Sequence, residues 1–256
     1  MIKITLVILQ GAWADARAAA AKLGQETDLD DEATLRVVVG RVREEIEGLS
    51  DEATLDSETL TGYRYDGFLL KRAEDLAARL MPAFGTKTGI PFGTVNLMSG
   101  VPPGETDVAS TAGAGSLVIE FGVLSTLTGK VEYGRAARRA LFALFKRRSE
   151  IGLLGMHVNI QTGTWTETHS GIGSNMDSYY EYLMKAYVLF GDDAAYMAFL
   201  DTYLAAMKHL RRGPFFADVG MTTGKLVRSN FNNLQAFWPG MQVLLGDLLP
   251  AEMTLR

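Results

Sequence analysis

At 256 residues, with 47% hydrophobic and 21% charged residues, the chain is long enough to bury a substantial core and has the balance of an ordinary globular sequence. A net charge of −5 gives no general attraction to nucleic acid or to an anionic membrane. The absence of cysteine excludes disulfides, zinc–thiolate sites and cysteine nucleophiles.

The opening, "MIKITLVILQGAWADA", mimics a signal peptide, with a lysine, an apolar run and Ala-Trp-Ala. The run covers only Ile4 to Leu9, shorter than the usual hydrophobic region, so a core-helix fragment is the preferred reading over a signal. No segment approaches the 18 continuous apolar residues of a membrane span, and no Asn-x-Ser/Thr acceptor occurs. Within "DEATLRVVVG", Glu32 and Arg36 are spaced i,i+4, the pattern of an exposed helix ion pair.

Helical periodicity dominates the rest. Residues 69–81 place Leu69, Leu76 and Leu80 on one stripe, with Pro82 as the stop. Residues 107–128 read as one longer apolar helix ending at Gly129, and residues 132–148 as an amphipathic helix. In the latter, Leu141, Leu144 and Phe145 oppose the arginines. The cluster Arg138, Arg139, Lys146, Arg147 and Arg148 is expected to be that helix's solvated face, with a polyanion site as the less favoured alternative. Further helices are expected from Asp177 to Gly191, over 193–211, and from about 229 to 238, before Pro239-Gly240.

Between these helices the chain writes one hexapeptide three times: "VNLMSG" at 95–100, "VNIQTG" at 158–163 and "VGMTTG" at 219–224, at spacings of 63 and 61. Each couples β-formers to a Ser/Thr-Gly turn and predicts a short hairpin. The unit is thus hairpin, helix, helix, a period that marks stacked supersecondary modules with all hairpins at one end. The fold class expected is all-α.

The stretch "GIGSNMDSYYEYLMKAY", residues 171–187, carries the most chemical promise. A glycine-rich loop leads to Asp177, with Glu181 one turn on and facing the same side. Asp177 reads either as a helix cap or as a catalytic carboxylate. The neighbouring tyrosines suit sugar binding but are more often core. Glu120, set in "SLVIEFGVL", either points to solvent or faces a polar cavity. The three histidines share no metal-ligand spacing, and these residues identify no metal ligand.

From about residue 65 to 248 the chain resembles glycoside hydrolase family 47, and within it the endoplasmic reticulum (ER) degradation-enhancing α-mannosidase-like proteins. The resemblance rests on "RAEDLAARLMPAFGTKTGIPFGTVNL", "STAGAGSLVIEFGVLSTLTG", "GLLGMHVNIQTGTW", "GIGSNMDSYYEYLMKAYVLFGD" and "NLQAFWPGMQVLLGD". It implies an (αα)₇ barrel of helical hairpins and calcium-dependent, inverting hydrolysis of α-1,2-linked mannose. The implied substrates are high-mannose N-glycans on misfolded glycoproteins, and the implied compartment is the ER lumen. By motif, Asp177 and Glu32 are the catalytic candidates, Glu32 as general acid, with Arg36, Glu120 and Glu181 binding substrate. "EATLRV" keeps both residue types of the family's Glu-x-x-Ile-Arg-Val motif, whereas an ungapped register puts Val39 and Arg43 there.

Two departures stand out. Ser110 occupies a position where family members often carry cysteine. The family's later Arg-Pro-Glu motif and calcium-binding threonine have no counterpart in the 256 residues. Residues 1–256 are therefore expected to be a single incomplete catalytic domain, a partial barrel weakly active alone, whose open side a protein partner would cover. A catalytically inactive glycan- or glycoprotein-binding module is the alternative, and a purely structural helical array the third reading.

Overall fold

The chain divides into two units, residues 1–66 and 67–256, and the computed structural model describes residues 67–229 and 231–255, all in the second unit. Helix α1 (Phe68–Leu80) leads through a 3₁₀ turn, Met81–Phe84, to the first hexapeptide. Strand β1 (Val108–Ser110) and the short helix α2 (Thr111–Gly115) precede α3 (Val118–Thr128) and α4 (Val131–Phe145). Strands β2 (His157–Asn159), β3 (Trp165–Glu167) and β4 (His169–Ser170) lead to α5 (Asp177–Phe190) and α6 (Asp193–His209). Strands β5 (Arg211–Arg212), β6 (Phe215–Phe216), β7 (Asp218–Gly220) and β8 (Leu226–Arg228) then lead to α7 (Trp238–Leu245) and α8 (Leu248–Leu255).

The three hexapeptides form the same turn. In the second, the Gly163 amide donates to Asn159 O at 2.7 Å, while Asn159 Oδ1 accepts from the amides of Gln161 and Thr162 at 3.0 and 2.9 Å. Asn96 does the same for Met98 and Ser99 in the first, where Asn96 and Gly100 exchange amide hydrogen bonds. The third hexapeptide has Gly220 in place of asparagine and keeps only backbone bonds to its carbonyl, from the Gly224 amide at 2.8 Å and the Thr223 amide at 3.2 Å. The closing glycine has positive φ in every case, 84°, 77° and 63°, a conformation costly for a residue with a Cβ.

Each strand leaving one hairpin pairs with the next hairpin. β1 lies antiparallel to β2, with Val108 opposite Asn159, and β4 lies antiparallel to β7, with Ser170 opposite Val219. Two equivalent three-stranded sheets result, β1-β2-β3 and β4-β7-β8.

The helix pairs repeat as closely. α3, α5 and α7 each end on a left-handed glycine, Gly129, Gly191 and Gly246. A helix cannot continue through that conformation, and its partner starts two residues later. Asp192 caps α6 by accepting the Ala195 amide and also takes a two-pronged ion pair from Arg138. Between the pairs, Trp238 is fully buried, edge-on to Tyr180 at 5.2 Å and stacked on Tyr203 at 5.5 Å.

Three sequence expectations need correction. Leu69 and Leu76 are exposed, at 68% and 46%; of the expected stripe Leu80 packs inward, joined there by Leu70 and Ala77. The run 107–128 is not one helix. Ser110 accepts the Gly113 amide to cap α2, and the backbone leaves helical geometry at Ser116 before α3 begins. By composition, residues 111–128 are long and apolar enough to cross a membrane, yet Thr111, Ala114, Val118, Phe121 and Leu124 are buried in the protein core. Finally, Pro239 does not end a helix: it sits in the first turn of α7, where its missing N–H costs nothing.

Candidate active site

The loop Gly171–Met176 delivers Asp177, and its shape is fixed from several sides. A Cβ on Gly171 would lie 2.3 Å from Asp218 Oδ1, and one on Gly173 would lie 2.8 Å from the Asn232 side chain, so neither position has room for a larger residue. Gly173 O accepts the amides of Met176 and Asp177, closing the turn into α5. Asn175 has a left-handed backbone, φ 70°, and its carbonyl accepts the Ala112 amide of α2 at 2.8 Å. Holding a residue with a Cβ in that region costs about 1 kcal/mol or more and persists only where surroundings impose it.

Asp177 is therefore the first residue of α5 and not its cap; the cap position is Met176, which makes no side-chain capping bond. The carboxyl is half-buried. Loss of hydration raises its affinity for a proton above the ordinary aspartate value, and the nearby Glu181 carboxylate pushes the same way. Amides of the first helical turn, Ser178 foremost, partly oppose this. A carboxylate held against its preferred ionisation is what general acid–base work requires.

The turn of α5 that follows carries two more polar groups on the same side. Glu181 accepts from Lys185 Nζ at 2.7 Å, an i,i+4 pair. Tyr182 donates its hydroxyl to Glu120 Oε1 at 2.6 Å, linking α5 to α3. Burial first, and then the Glu120 bond, raise the Tyr182 hydroxyl well above its ordinary value, so it stays protonated and remains a donor. Glu120, the one charged residue of α3, is exposed at its surface, which settles the choice left open by its sequence.

The structure thus joins Glu120 on α3 to Tyr182 on α5, while Asp177 and Glu181 lie one turn apart on one edge of α5. Glu32 and Arg36 lie outside the described residues. Tyr179 and Tyr180 are fully buried and donate to Leu141 O and Gly171 O, so they serve the core and the loop rather than a ligand. Sequence reasoning singled out neither the role of Tyr182 nor that of Lys185. Their spacing from Ser178 and Glu181 is the signal: positions 177, 178, 181, 182 and 185 make one helical stripe, and the buried positions make the other. Among the described residues no group of three or more His, Asp or Glu side chains is placed to hold a metal ion.

The model of "Glycosyl hydrolase family 47" matches residues 46–254. The chain belongs to that family. Among curated proteins it is 48% identical over 210 residues to "Alpha-mannosidase I MNS4" of Arabidopsis thaliana, a match covering 81% of this chain and 34% of that one. It is 42% identical over 223 residues to human "ER degradation-enhancing alpha-mannosidase-like protein 2", covering 87% of this chain and 38% of the relative. The chain spans about a third of the length of these relatives. Among solved structures it resembles the "alpha-1,2-mannosidase from Trichoderma reesei", with a TM-score of 0.62 and 29% identity over 73% of this chain and 41% of that one. The fold class is all-α, the helical-hairpin architecture of the (αα)₇ barrel, with short β-hairpins between the helix pairs. The 62-residue period inferred from the hexapeptides is one hairpin and one helix pair of that architecture.

Proposed function

We propose that this chain forms part of an α-1,2-mannosidase-type glycoside hydrolase that trims high-mannose N-glycans of misfolded glycoproteins in the ER lumen. The observation that carries the reading is the acidic seam: Glu120 held by Tyr182 beside the α5 edge of Glu181 and Asp177. Mannose presents rings of hydroxyls, and carboxylates with free lone pairs accept hydrogen bonds from them. Membership of family 47 and likeness to mannosidases supply the reaction class.

In this proposal the reaction is inverting. One carboxyl protonates the leaving oxygen while the other activates water on the opposite face, the pair standing roughly 6.5–9.5 Å apart. Asp177 is assigned the base role, Glu32 the acid role with Arg36 beside it, and Glu120 and Glu181 hold sugar hydroxyls. Calcium dependence belongs to the same proposal, and its ligands then lie outside the described residues. The activity proposed is that of the whole fold. The chain alone is expected to release mannose slowly, and a protein partner covering an open side of the barrel remains part of the proposal.

A second reading, a glycan-binding module without catalysis, is favoured by the exposure of Glu120, since an open seam binds hydroxyls without excluding water. Incubating the pure chain with a high-mannose glycan, with calcium or with a chelator, separates the two. Release of β-mannose that the chelator and Asp177→Asn both abolish supports the hydrolase. Retention of glycan without release supports the binding module, and neither release nor retention refutes both.

A further inference from the structure

Away from the acidic seam, the outward face of α4 forms the rim of a groove of about 570 Å³. Arg135, Arg138, Arg139, Lys146 and Arg147 line it, over a floor that includes Phe142. Five cations in one groove are unexpected on a chain whose net charge is −5. The fold itself does not demand them. α6 is the second helix of its pair as α4 is of its own, and its seventeen residues carry only Lys208 and His209 against Asp193 and Asp201.

Two of the guanidinium groups are fixed in place. Arg139 packs so closely on Gly89 that a Cβ there would lie 2.2 Å from its Nε, and a Cβ on Gly163 of the second hairpin turn would lie equally close to Arg147 Nε. Arg139 donates to Phe84 O and Arg147 to Ala143 O, one hydrogen bond each. With five N–H donors per guanidinium, each retains donors for a ligand. Arg138 is engaged by Asp192 and lies over the Phe142 ring at 4.5 Å. Arg135 and Lys146 have no carboxylate partner among the described residues. One acid therefore offsets one of the five cations, and the arrangement is pre-organised for an anion.

The shape points to the class of anion. Arg135 and Lys146 are eleven residues apart, about 16 Å along a helix. Within that length the cations fall in two groups, Arg135 with Arg138 and Arg139, and Lys146 with Arg147 about 10 Å further on, with the uncharged turn of Phe142 and Ala143 between them. A single oxoanion engages only one end of such a row. An extended peptide covers it with about five residues, and its alternate side chains fall about 6.6 Å apart on one side. We propose that this groove docks an acidic polypeptide segment in extended conformation, with carboxylates at alternate positions facing the α4 cations. It is independent of the glycan reading, and it reverses the expectation that the cluster is only a solvated face.

The test uses a fluorescent hexapeptide with glutamate at alternate positions, the same peptide with glutamine, and the whole chain. The glutamate peptide is expected to bind at least about tenfold more tightly than the glutamine peptide, with affinity that falls as salt is raised. Arg135→Gln with Lys146→Gln, which removes no contact seen in the fold, is expected to cost at least about tenfold while the circular dichroism spectrum and Tm stay unchanged. Lys208→Gln on α6 is expected to change affinity less than twofold. Equal binding of both peptides, or undiminished binding by the double variant, overturns the proposal. So does inorganic phosphate, or a phosphatidylserine vesicle, that binds the chain more tightly than the glutamate peptide does.

Discussion

On one side of α5, Tyr179, Tyr180, Leu183 and Met184 are buried, and Trp238 packs edge-on against Tyr180. On the other side, less than half a turn away, Asp177, Glu181, Tyr182 and Lys185 remain at least partly open to water and are held by single polar contacts. The first side makes the fold, with aromatic area and close packing. The second is held in place by the first and carries a carboxyl that its setting does not favour as an anion. Stability and chemistry are thus separated by helix phase. Substitutions on the two sides are expected to differ in size and even in sign.

The largest effect is expected on the buried side. Tyr180→Ala removes a fully buried ring and its hydrogen bond to Gly171 O, and is expected to cost about 3–5 kcal/mol. That corresponds to roughly a 10 °C fall in Tm, read by thermal unfolding. A small loss there would mean that Trp238 does not depend on α5 for its packing. Gly115→Ala tests the same side from α2. Its Cβ would meet the Tyr179 ring at 2.3 Å, so a loss of about 1–3 kcal/mol is expected despite the better helix propensity of alanine.

Next comes the hairpin scaffold. Asn159→Ala strips the acceptor from two turn amides and is expected to lower stability by about 1 kcal/mol in chemical denaturation. Gly220, at the equivalent place in the third turn, shows that backbone bonds alone are tolerated.

The smallest effects, and a change of sign, are expected on the polar side. Because the folded pKa of Asp177 is raised, the folded chain binds its proton more tightly than the unfolded chain does. That stabilisation is complete below the unfolded value near 3.8 and is lost as pH rises through the folded value. Asp177→Asn, which stays uncharged, is therefore expected to raise Tm by about 1–2 °C at pH 7. The gain is expected to vanish near pH 3, measured by thermal melts across pH. Equal Tm differences at both pH values would show that burial of the carboxylate has no cost. Tyr182→Phe is expected to change Tm by less than about 1 °C while weakening glycan binding, since Glu120 is exposed and does not need the bond for folding.

Much of the architecture was legible because it is periodic. The hexapeptides state the turn outright: the closing Gly in all three, and the Asn in the first two, are the residues that make it. Leu141 and Leu144 lie fully buried, as the amphipathic pattern of α4 requires. The Ser116 break escaped because "AGAGSLVI" has no proline and its glycines are helical; the cap at Ser110 is the local cue. The phase of α1 escaped because Leu69 and Leu76 are hydrophobic and yet exposed, a combination that hydrophobicity alone cannot reveal. At the candidate site, Asp177 and Glu120 are singled out by residue type and motif. The bond of Tyr182 to Glu120 is not: the helical stripe places Tyr182 on the open side of α5, but a partner 62 residues away in sequence leaves no spacing to read.

The most direct test of the acidic seam is to add a high-mannose glycan to isotope-labelled chain and follow backbone amide shifts by NMR. Changes concentrated at residues 118–121 and 175–185, and lost in a Glu120→Gln, Asp177→Asn double variant, are the predicted result. Glycan-induced changes that avoid both segments, or that survive the double variant intact, would contradict it.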